Sequence, residues 1–590
     1  VTTGTAARPW RRAATGVSIA ILVVVLAAAA WICVRAVMAK GELDAARDQS
    51  ASLEEAISQR DVAAATAAID ELGVHAARAA ELTGDAVWQG AEFVPFAGAN
   101  LAAVRVVAAE LDAIVAHGLT PLVTGAEALS SGARTADGGI DLTGIAQIQT
   151  PIAHARGVLE DASARLGSLD RGSVVEPVRD AIAQLSDVVG QLEPVVAAID
   201  DAATLLPPML GADGPRTILV ALQNNAELRT GGGITGSFVE FRAEEGRLTL
   251  TAQADSSQFA SRETGILELP ESTTVLYGDR IGRYVQNASM PADFGVTAQL
   301  ASEWWRSYAG SVPDAVISVD PLVLQALLAA AGPIHVAGQD LSAENLVSSL
   351  LVDPYLSLDP AAQTSLFRET ASAVFSQLTS SDADLASIAA ALAEPVSQGR
   401  VSLWSSHPDE QEVIAETPLA GPAARQRLAG EDAFAVYLND ATGAKMDSLL
   451  DVDIHWGVAR CREDGHRDVV VSVTLTNRAP ADAGSVYPAS MTGGGAYGTA
   501  PGVIATNVSV SAPQGAYFGG VSRDGEAVVS ADAEDAGFPV AATRVDVAPG
   551  ESATMDFRFL SADARELRPT ILHTPLLTQP EIEEASIGCS

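Results

Sequence analysis

The sequence predicts a multidomain protein: one N-terminal transmembrane helix, an α-helical membrane-proximal region, an α/β domain and a C-terminal β-sandwich. Three observations carry this. An uncharged run of 22 residues, AATGVSIAILVVVLAAAAWICV, begins at Ala13. Apolar residues at helical spacing fill the stretch from Gly41 to Leu206. Beyond Gly211, strand-like runs first alternate with helical ones and then follow one another. A chain of 590 residues is also too long for a single core.

The apolar run is long enough to cross a bilayer core as a helix, here assigned to 13–38 with 1–12 as a cytoplasmic tail. Arg8, Arg11 and Arg12 precede it and only Arg35 and Lys40 follow closely, which favours a cytoplasmic N-terminus. The segment then acts as a signal anchor, and the bulk of the chain is extracytoplasmic. A cleaved signal peptide is the alternative, but the run exceeds a usual h-region and its end makes a poor cleavage site.

Five of the 36 basic residues lie in the first 40, leaving 31 against 74 acidic ones in the rest. Such a surface repels nucleic acid and anionic lipid, so no nucleic-acid partner is expected. Only Lys40 and Lys445 are lysines, a bias that fits a GC-rich bacterial genome. Outside the membrane run the cysteines are Cys461 and Cys589, and a disulfide between them is the simplest pairing in an oxidising exterior. Two free thiols are the alternative. No Cys or His grouping has zinc spacing.

Residues 41–206 read as antiparallel helices, with breaks at FVPFAGAN, SSGARTADGG and DRGS. Residues 211–430 interleave TILVAL, SFVEFRA, GRLTLTAQ and DAVISVD with helical runs, the pattern of helices covering a sheet. Residues 434–590 hold short strands such as DVVVSVTLTNRA and ATMDFRFL between Gly, Pro, Asp and Asn turns, as in an Ig-like sandwich.

The candidate site is ALQNNAELRTGGGITGSF, where a strand runs into a glycine-rich loop. Freed backbone N–H groups there can cradle an anion, and Arg229 adds a planar fork of donors for phosphate. The stretch matches neither GxxxxGK[ST] nor GxGxxG. Read structurally, Asn224 and Asn225 cap a turn, Glu227 pairs with Arg229, and the glycines permit close packing. Two further groups, QADSSQ (Asp255, Ser256) and YVQNASMPADF (Asn287, Asp293), punctuate apolar stretches. Asp255 ends a strand, where α/β sheets place ligand groups, and carboxylates such as Asp255 and Asp293 suit Mg²⁺ on a substrate phosphate. No GxSxG context accompanies any histidine, which argues against a serine hydrolase.

NNAELRTGGGITGSF resembles the signature of a bacterial envelope family of unknown function, as do QNASMPADF, DAVISVDP, GRVSLWSSHPDEQ and YLNDATGAKMD. Residues 216–380 more distantly resemble LytR-CpsA-Psr proteins, membrane-anchored enzymes that move glycopolymers from polyprenyl-phosphate carriers to the cell wall. Arg229 to Ser237 falls at their Arg-x-Asp-Ser/Thr motif. ADSS falls at their Arg-Asp-Ser/Thr, with Ala254 in place of the arginine, and Arg368 resembles the arginine of their RQQ helix. Their Arg-x-Arg is absent from LLVDPYLSLDP.

The resemblance implies a cell-envelope protein that binds a phosphorylated polyprenyl or glycopolymer lipid and assists its transfer or assembly. Arg229 and Asp255 would act at the reacting phosphate. Asn224, Asn225, Glu227, Ser237, Ser256, Asn287 and Arg368 would bind the ligand, and Asp255 with Asp293 would hold Mg²⁺. The alternative is a non-catalytic envelope scaffold with a degenerate transferase-like domain.

Overall fold

The computed structural model describes residues 8–59, 61–123, 134–135, 139–380 and 384–588. It divides into two compact units: residues 1–133 with 141–206, and residues 134–140 with 207–590.

The first unit is helical. Its N-terminal helix, Arg8–Ser58, runs 51 residues without interruption, so it continues well past the apolar run. Among the described residues, three helices are apolar and long enough to cross a membrane. The N-terminal one stands out, with a mean hydropathy of 2.9 and none of its most apolar window buried. The other two, Gly98–Val123 and Glu176–Met209, bury part of their surface in the bundle. Aspartates start the remaining helices: Asp61, Asp85 and Asp141 each accept from backbone N–H groups of the first turn. In the helix Leu142–Gly167, Ile145, Ile148, Ile152, Ala155, Leu159, Ala162 and Leu166 are buried. Steps of three and four put them on one face, against Ile182, Leu185 and Val189 of the last helix. FVPFAGAN and DRGS fall at turns between helices, whereas most of SSGARTADGG lies outside the described residues.

The second unit contains all the sheets. Strands β1 (Arg216–Asn224), β2 (Ile234–Glu244), β3 (Arg247–Asp255) and β4 (Ala315–Val319) precede a small hairpin of β5 (Ile334–Val336) and β6 (Gln339–Leu341), then β7 (Val401–Ser405). The first sheet has the order β3-β2-β1-β4-β7, with β1 and β4 parallel and its other pairs antiparallel. The helix Phe294–Ala309 packs Phe294, Ala298, Trp304 and Trp305 on Leu219, Phe238, Ala254 and Val316 of this sheet. Helices Pro321–Ala331 and Pro360–Leu378 build a second apolar cluster with the hairpin, around Leu328, Val336, Leu350 and Leu366.

The remaining strands are β8 (Ala433–Asp440), β9 (Leu450–Ala459), β10 (Asp468–Asn477), β11 (Ile504–Ser511), β12 (Tyr517–Arg523), β13 (Glu526–Ala527), β14 (Ala531–Asp535), β15 (Phe538–Val547), β16 (Ser552–Leu560), β17 (Thr570–His573) and β18 (Glu581–Glu584). They form two sheets, β13-β12-β16-β10-β9-β18 and β14-β15-β11-β8-β17. Alternate residues of β10 (Val469, Val471, Val473, Leu475) and β16 (Ala553, Met555, Phe557, Phe559) share a core with Val508 and Val510 of β11.

Strand β8 is buried along its whole length. Phe434, Val436 and Leu438 enter that core, while Ala435 and Tyr437 pack with Ala292 and Ala423 from the preceding half of the unit. A strand apolar on both faces thus packs the C-terminal sheets against the preceding half, and the two halves belong to one compact unit. Cys461 is disulfide-bonded and Cys33 is free; Cys589 lies outside the described residues.

Candidate functional site

One edge of the first sheet collects the ends of β1, β3 and β4 and the start of β2. The register places Leu222 opposite Ser237, and Ser237 opposite Asp255. A cavity of about 910 Å³ opens there, wholly within the second unit. Part of its wall is apolar, from Leu222, Ile234, Val319, Leu324, Leu350 and Phe367, and part is charged, from Glu227, Arg229, Asp440 and Lys445.

The loop 225–233 supplies Glu227 and Arg229 of the charged part, and its glycines are there for packing. A Cβ on Gly233 would sit 2.3 Å from the carbonyl carbon and oxygen of Asn224, and Gly232 has φ +129°. Gly233 N–H donates to Gln223 Oε1 at 3.0 Å, which closes the loop onto β1.

Within the loop, Glu227 is buried between two cations. Arg229 Nη2 donates to Glu227 Oε1 at 2.9 Å, and Lys445 Nζ pairs with Oε2. Burial opposes the carboxylate charge, yet Lys445 and then Arg229 outweigh it, and Glu227 is held below its ordinary pKa. Burial likewise works against the Lys445 charge, and the Glu227 carboxylate more than compensates, raising that amine. Two cations against one carboxylate give the triad itself a net positive charge, which the neighbouring Asp440 offsets once it ionises.

Asp440 stands beside it. Burial and the charge of Glu227 push Asp440 up to about 6, although Arg229, Thr442 and the Gly443 N–H pull the other way. Asp447 rises well above the carboxylate range, through burial and then the charge of Asp440. Its Oδ2 accepts from Leu228 N–H at 2.7 Å, and its own N–H donates to Ala226 O at 3.0 Å. Tyr355 closes this side: its hydroxyl accepts from Asn224 Nδ2, and Lys445 Nζ lies 5.9 Å from its ring centroid.

Arg229 is largely occupied. Besides Glu227, it donates to Leu228 O at 2.7 Å, Asp440 O at 3.4 Å and Asn287 Oδ1 at 3.3 Å, and its Nε is buried without a partner. Asn224, Glu227, Ser237, Asp255, Ser256 and Asn287 join it in the cavity wall. Asp255 accepts from Ser257 N–H at 2.9 Å, and Gln258 accepts from the Asp255 N–H at 2.8 Å.

Three expected residues lie elsewhere. Asn225 is fully buried behind the wall, donating to Asp320 Oδ2 at 3.1 Å, and Asp320 in turn pairs with the buried Arg400 at 2.6 Å. Asp293 is exposed and caps the helix Phe294–Ala309 by accepting from Gly295 N–H at 2.8 Å. The structure therefore does not bring it to Asp255, and no group of three or more acidic, His or Cys side chains suited to a metal occurs among the described residues. Arg368 is exposed because Gln363, Thr364, Phe367 and Thr370 take the cavity face of its helix.

Sequence reasoning missed Lys445, Asp440, Asp447 and Tyr355 as site residues. One signal was present: a lysine in a chain that otherwise uses arginine almost throughout.

The family described as "Protein of unknown function (DUF4012)" matches residues 213–355, which include the loop, Asp255 and Tyr355 but none of the contributing residues from β8 onward. No curated protein matches the chain. Three solved structures are similar over part of it. The Lin1025 protein from Listeria innocua has 12% identity, covering 35% of this chain and 79% of that one, with a TM-score of 0.20. The transcriptional regulator yvhJ from Bacillus subtilis has 12% identity, coverage of 34% and 76%, and a TM-score of 0.19. The gbs0355 protein from Streptococcus agalactiae has 16% identity, coverage of 36% and 76%, and a TM-score of 0.22.

Proposed function

We propose that this chain is a membrane-anchored, extracytoplasmic protein of the cell envelope whose cavity binds a phosphorylated polyprenyl or glycopolymer lipid and assists its transfer or assembly. In this reading residues 211–430 are a LytR-CpsA-Psr-like domain and residues 434–590 an Ig-like β-sandwich. The observation that supports it is the division of one cavity wall into a net-positive triad and an apolar face. An anionic head group would meet Arg229 and Lys445, while a prenyl chain would lie along Leu222, Val319, Leu324, Leu350 and Phe367. Such a mix of apolar lining and a few placed polar groups is what ligand cavities offer. Ser237, Ser256, Asn224 and Asn287 would orient the head group.

In this reading a magnesium ion would rest on one carboxylate. Asp255 would contribute one oxygen, and most of the shell would come from phosphate and water, as magnesium on phosphate substrates permits. Ala254, the position where the resembled enzymes carry an arginine, is buried in the apolar core with Phe238, Phe259 and Trp305. Ala254 offers the cavity no guanidinium, so the phosphate contacts would come from Arg229 and Lys445.

The experiment is mass spectrometry of lipids extracted from the purified full chain, compared with Arg229→Ala and Lys445→Met. Prenyl phosphate in the parent and its loss from a folded variant would bear the proposal out. Absence of prenyl lipid from the parent would favour the second reading, a non-catalytic scaffold. What favours that reading is the engagement of Arg229 by four acceptors, which is how a residue that holds chain segments together is bonded.

A further inference from the structure

We infer that the exposed apolar turn Phe93–Ala97 of the helical unit is a second membrane contact, seated in the interfacial layer of the bilayer that the N-terminal helix crosses. The inference rests on the anchor reading of that helix.

Within this unit the chain returns to the end of the apolar run. The helix Val62–Thr83 runs back along the first one, pairing Glu71 with Gln49 and His75 with Glu42. It ends at Asp85, which accepts from Trp31 Nε1 at 3.1 Å and pairs with Arg35. Trp31 and Arg35 close the uncharged run, and Trp with a flanking Arg is the residue pairing found at membrane–water interfaces. Asp85 also caps the short helix Ala86–Ala91, so the turn that follows starts about two helical turns from this level.

That turn is the sequence FVPFA. Phe93 is 90% exposed, Val94 50% and Phe96 100%. Its shape is fixed from behind, because Trp88 is buried with its indole N–H on Leu101 O at 3.0 Å and Glu92 pairs with Arg105 at 2.5 Å. Phe96 holds φ at +67°, an uncommon conformation for a bulky residue, and its ring gains no burial in return. The neighbouring bundle turn shares this end: Asn100 Oδ1 accepts from Val175 N–H at 2.8 Å, and Val175 is also exposed. No acidic residue occurs from Phe93 to Ala109 in this otherwise acidic chain. Aromatic side chains beside the end of a spanning helix, where the adjoining Glu92 is paired with Arg105, suit the headgroup layer.

The test uses the full chain with Cys33→Ser, its disulfide kept oxidised, reconstituted in phosphatidylcholine vesicles. Single cysteines from Phe96→Cys, Phe93→Cys, Leu22→Cys or Glu54→Cys carry an environment-sensitive fluorophore; all four sites are exposed, so the fold is preserved. Lipid nitroxides placed near the headgroup should quench the labels at 93 and 96 and spare the one at 54. Deep nitroxides should quench the label at 22. Quenching at 22 without quenching at 93 and 96 overturns the turn's contact alone. No quenching at 22 overturns the anchor reading itself. A label at 96 shielded from a water-soluble quencher but untouched by lipid nitroxide means that protein, such as a second copy, covers the turn, and the inference fails.

Discussion

Leu228 and Asp447 are 219 positions apart, and Leu228 N–H donates to Asp447 Oδ2 at 2.7 Å, with both residues buried. The Asp447 N–H returns a bond to Ala226 O, so the loop after β1 and the segment before β9 exchange donors as neighbouring strands would. Burial raises Asp447 well above its ordinary value, and an amide keeps the oxygen that accepts from Leu228 N–H without a buried charge. Asp447→Asn should change stability by less than about 1 kcal/mol, while Asp447→Ala orphans a buried N–H and should cost about 1–3 kcal/mol. Urea titration of both variants decides this; equal losses would show that the bond contributes nothing.

Glu227 is the residue on which the triad depends. Glu227→Gln leaves Arg229 and Lys445 facing each other in a buried site and should cost about 3–5 kcal/mol. Lys445→Met leaves Glu227 its Arg229 partner and should cost less, about 1–3 kcal/mol. The order of the two denaturation midpoints is the measurement, and a reversed order would contradict the arrangement.

Asp440 makes stability depend on pH. Its folded value of about 6 exceeds the unfolded value of about 4, so between them the folded chain keeps a proton that the unfolded chain releases. That stabilisation is complete below the unfolded value and is lost as pH rises through about 6. Asp447 shifts in the same direction, whereas the stabilisation from Glu227 is present at higher pH and disappears as pH falls through its lowered value. Comparing unfolding at pH 4 and pH 7, Asp440→Asn should lose less stability than the parent across that interval, by about 1–3 kcal/mol. Parallel curves would remove Asp440 as a source.

Affinity for an anionic ligand should also weaken as pH rises through about 6. Asp440 then becomes charged beside Arg229 and competes with the ligand's phosphate for the same field. Titration with a short prenyl phosphate at two pH values tests this, and Asp440→Asn should flatten the dependence.

Gly233 should tolerate no side chain. A Cβ there would meet Asn224 backbone atoms at 2.3 Å, so Gly233→Ala should cost about 1–3 kcal/mol or more. At Gly236 the nearest atom is 3.8 Å away, and Gly236→Ala should be much milder. Thermal unfolding of the pair separates a packing role for Gly233 from a general loss of loop freedom.

Much of the local structure was legible in the sequence. Periods of three and four marked the helix Leu142–Gly167, alternation marked β10 and β16, and the uncharged run marked the N-terminal helix. Asn224, Ser237 and Asp255, which the sequence singles out, sit at strand ends in the cavity wall. Arg368 was misplaced because sequence spacing does not reveal which face of a helix meets a cavity. Asp293 was misplaced because a helix-capping aspartate and a metal-binding one read alike in a loop.

The sequence by itself determined the element types and the chemistry of the β1–β2 loop, since both follow from short-range periodicity and residue type. Only the tertiary structure decided what that loop faces. Pairing across β8 brings Asp440, Lys445 and Asp447 to Glu227 and Leu228, and burial then sets which of those groups carries charge. Desolvation and charge–charge attraction of that kind depend on distances between distant segments, which no local pattern encodes.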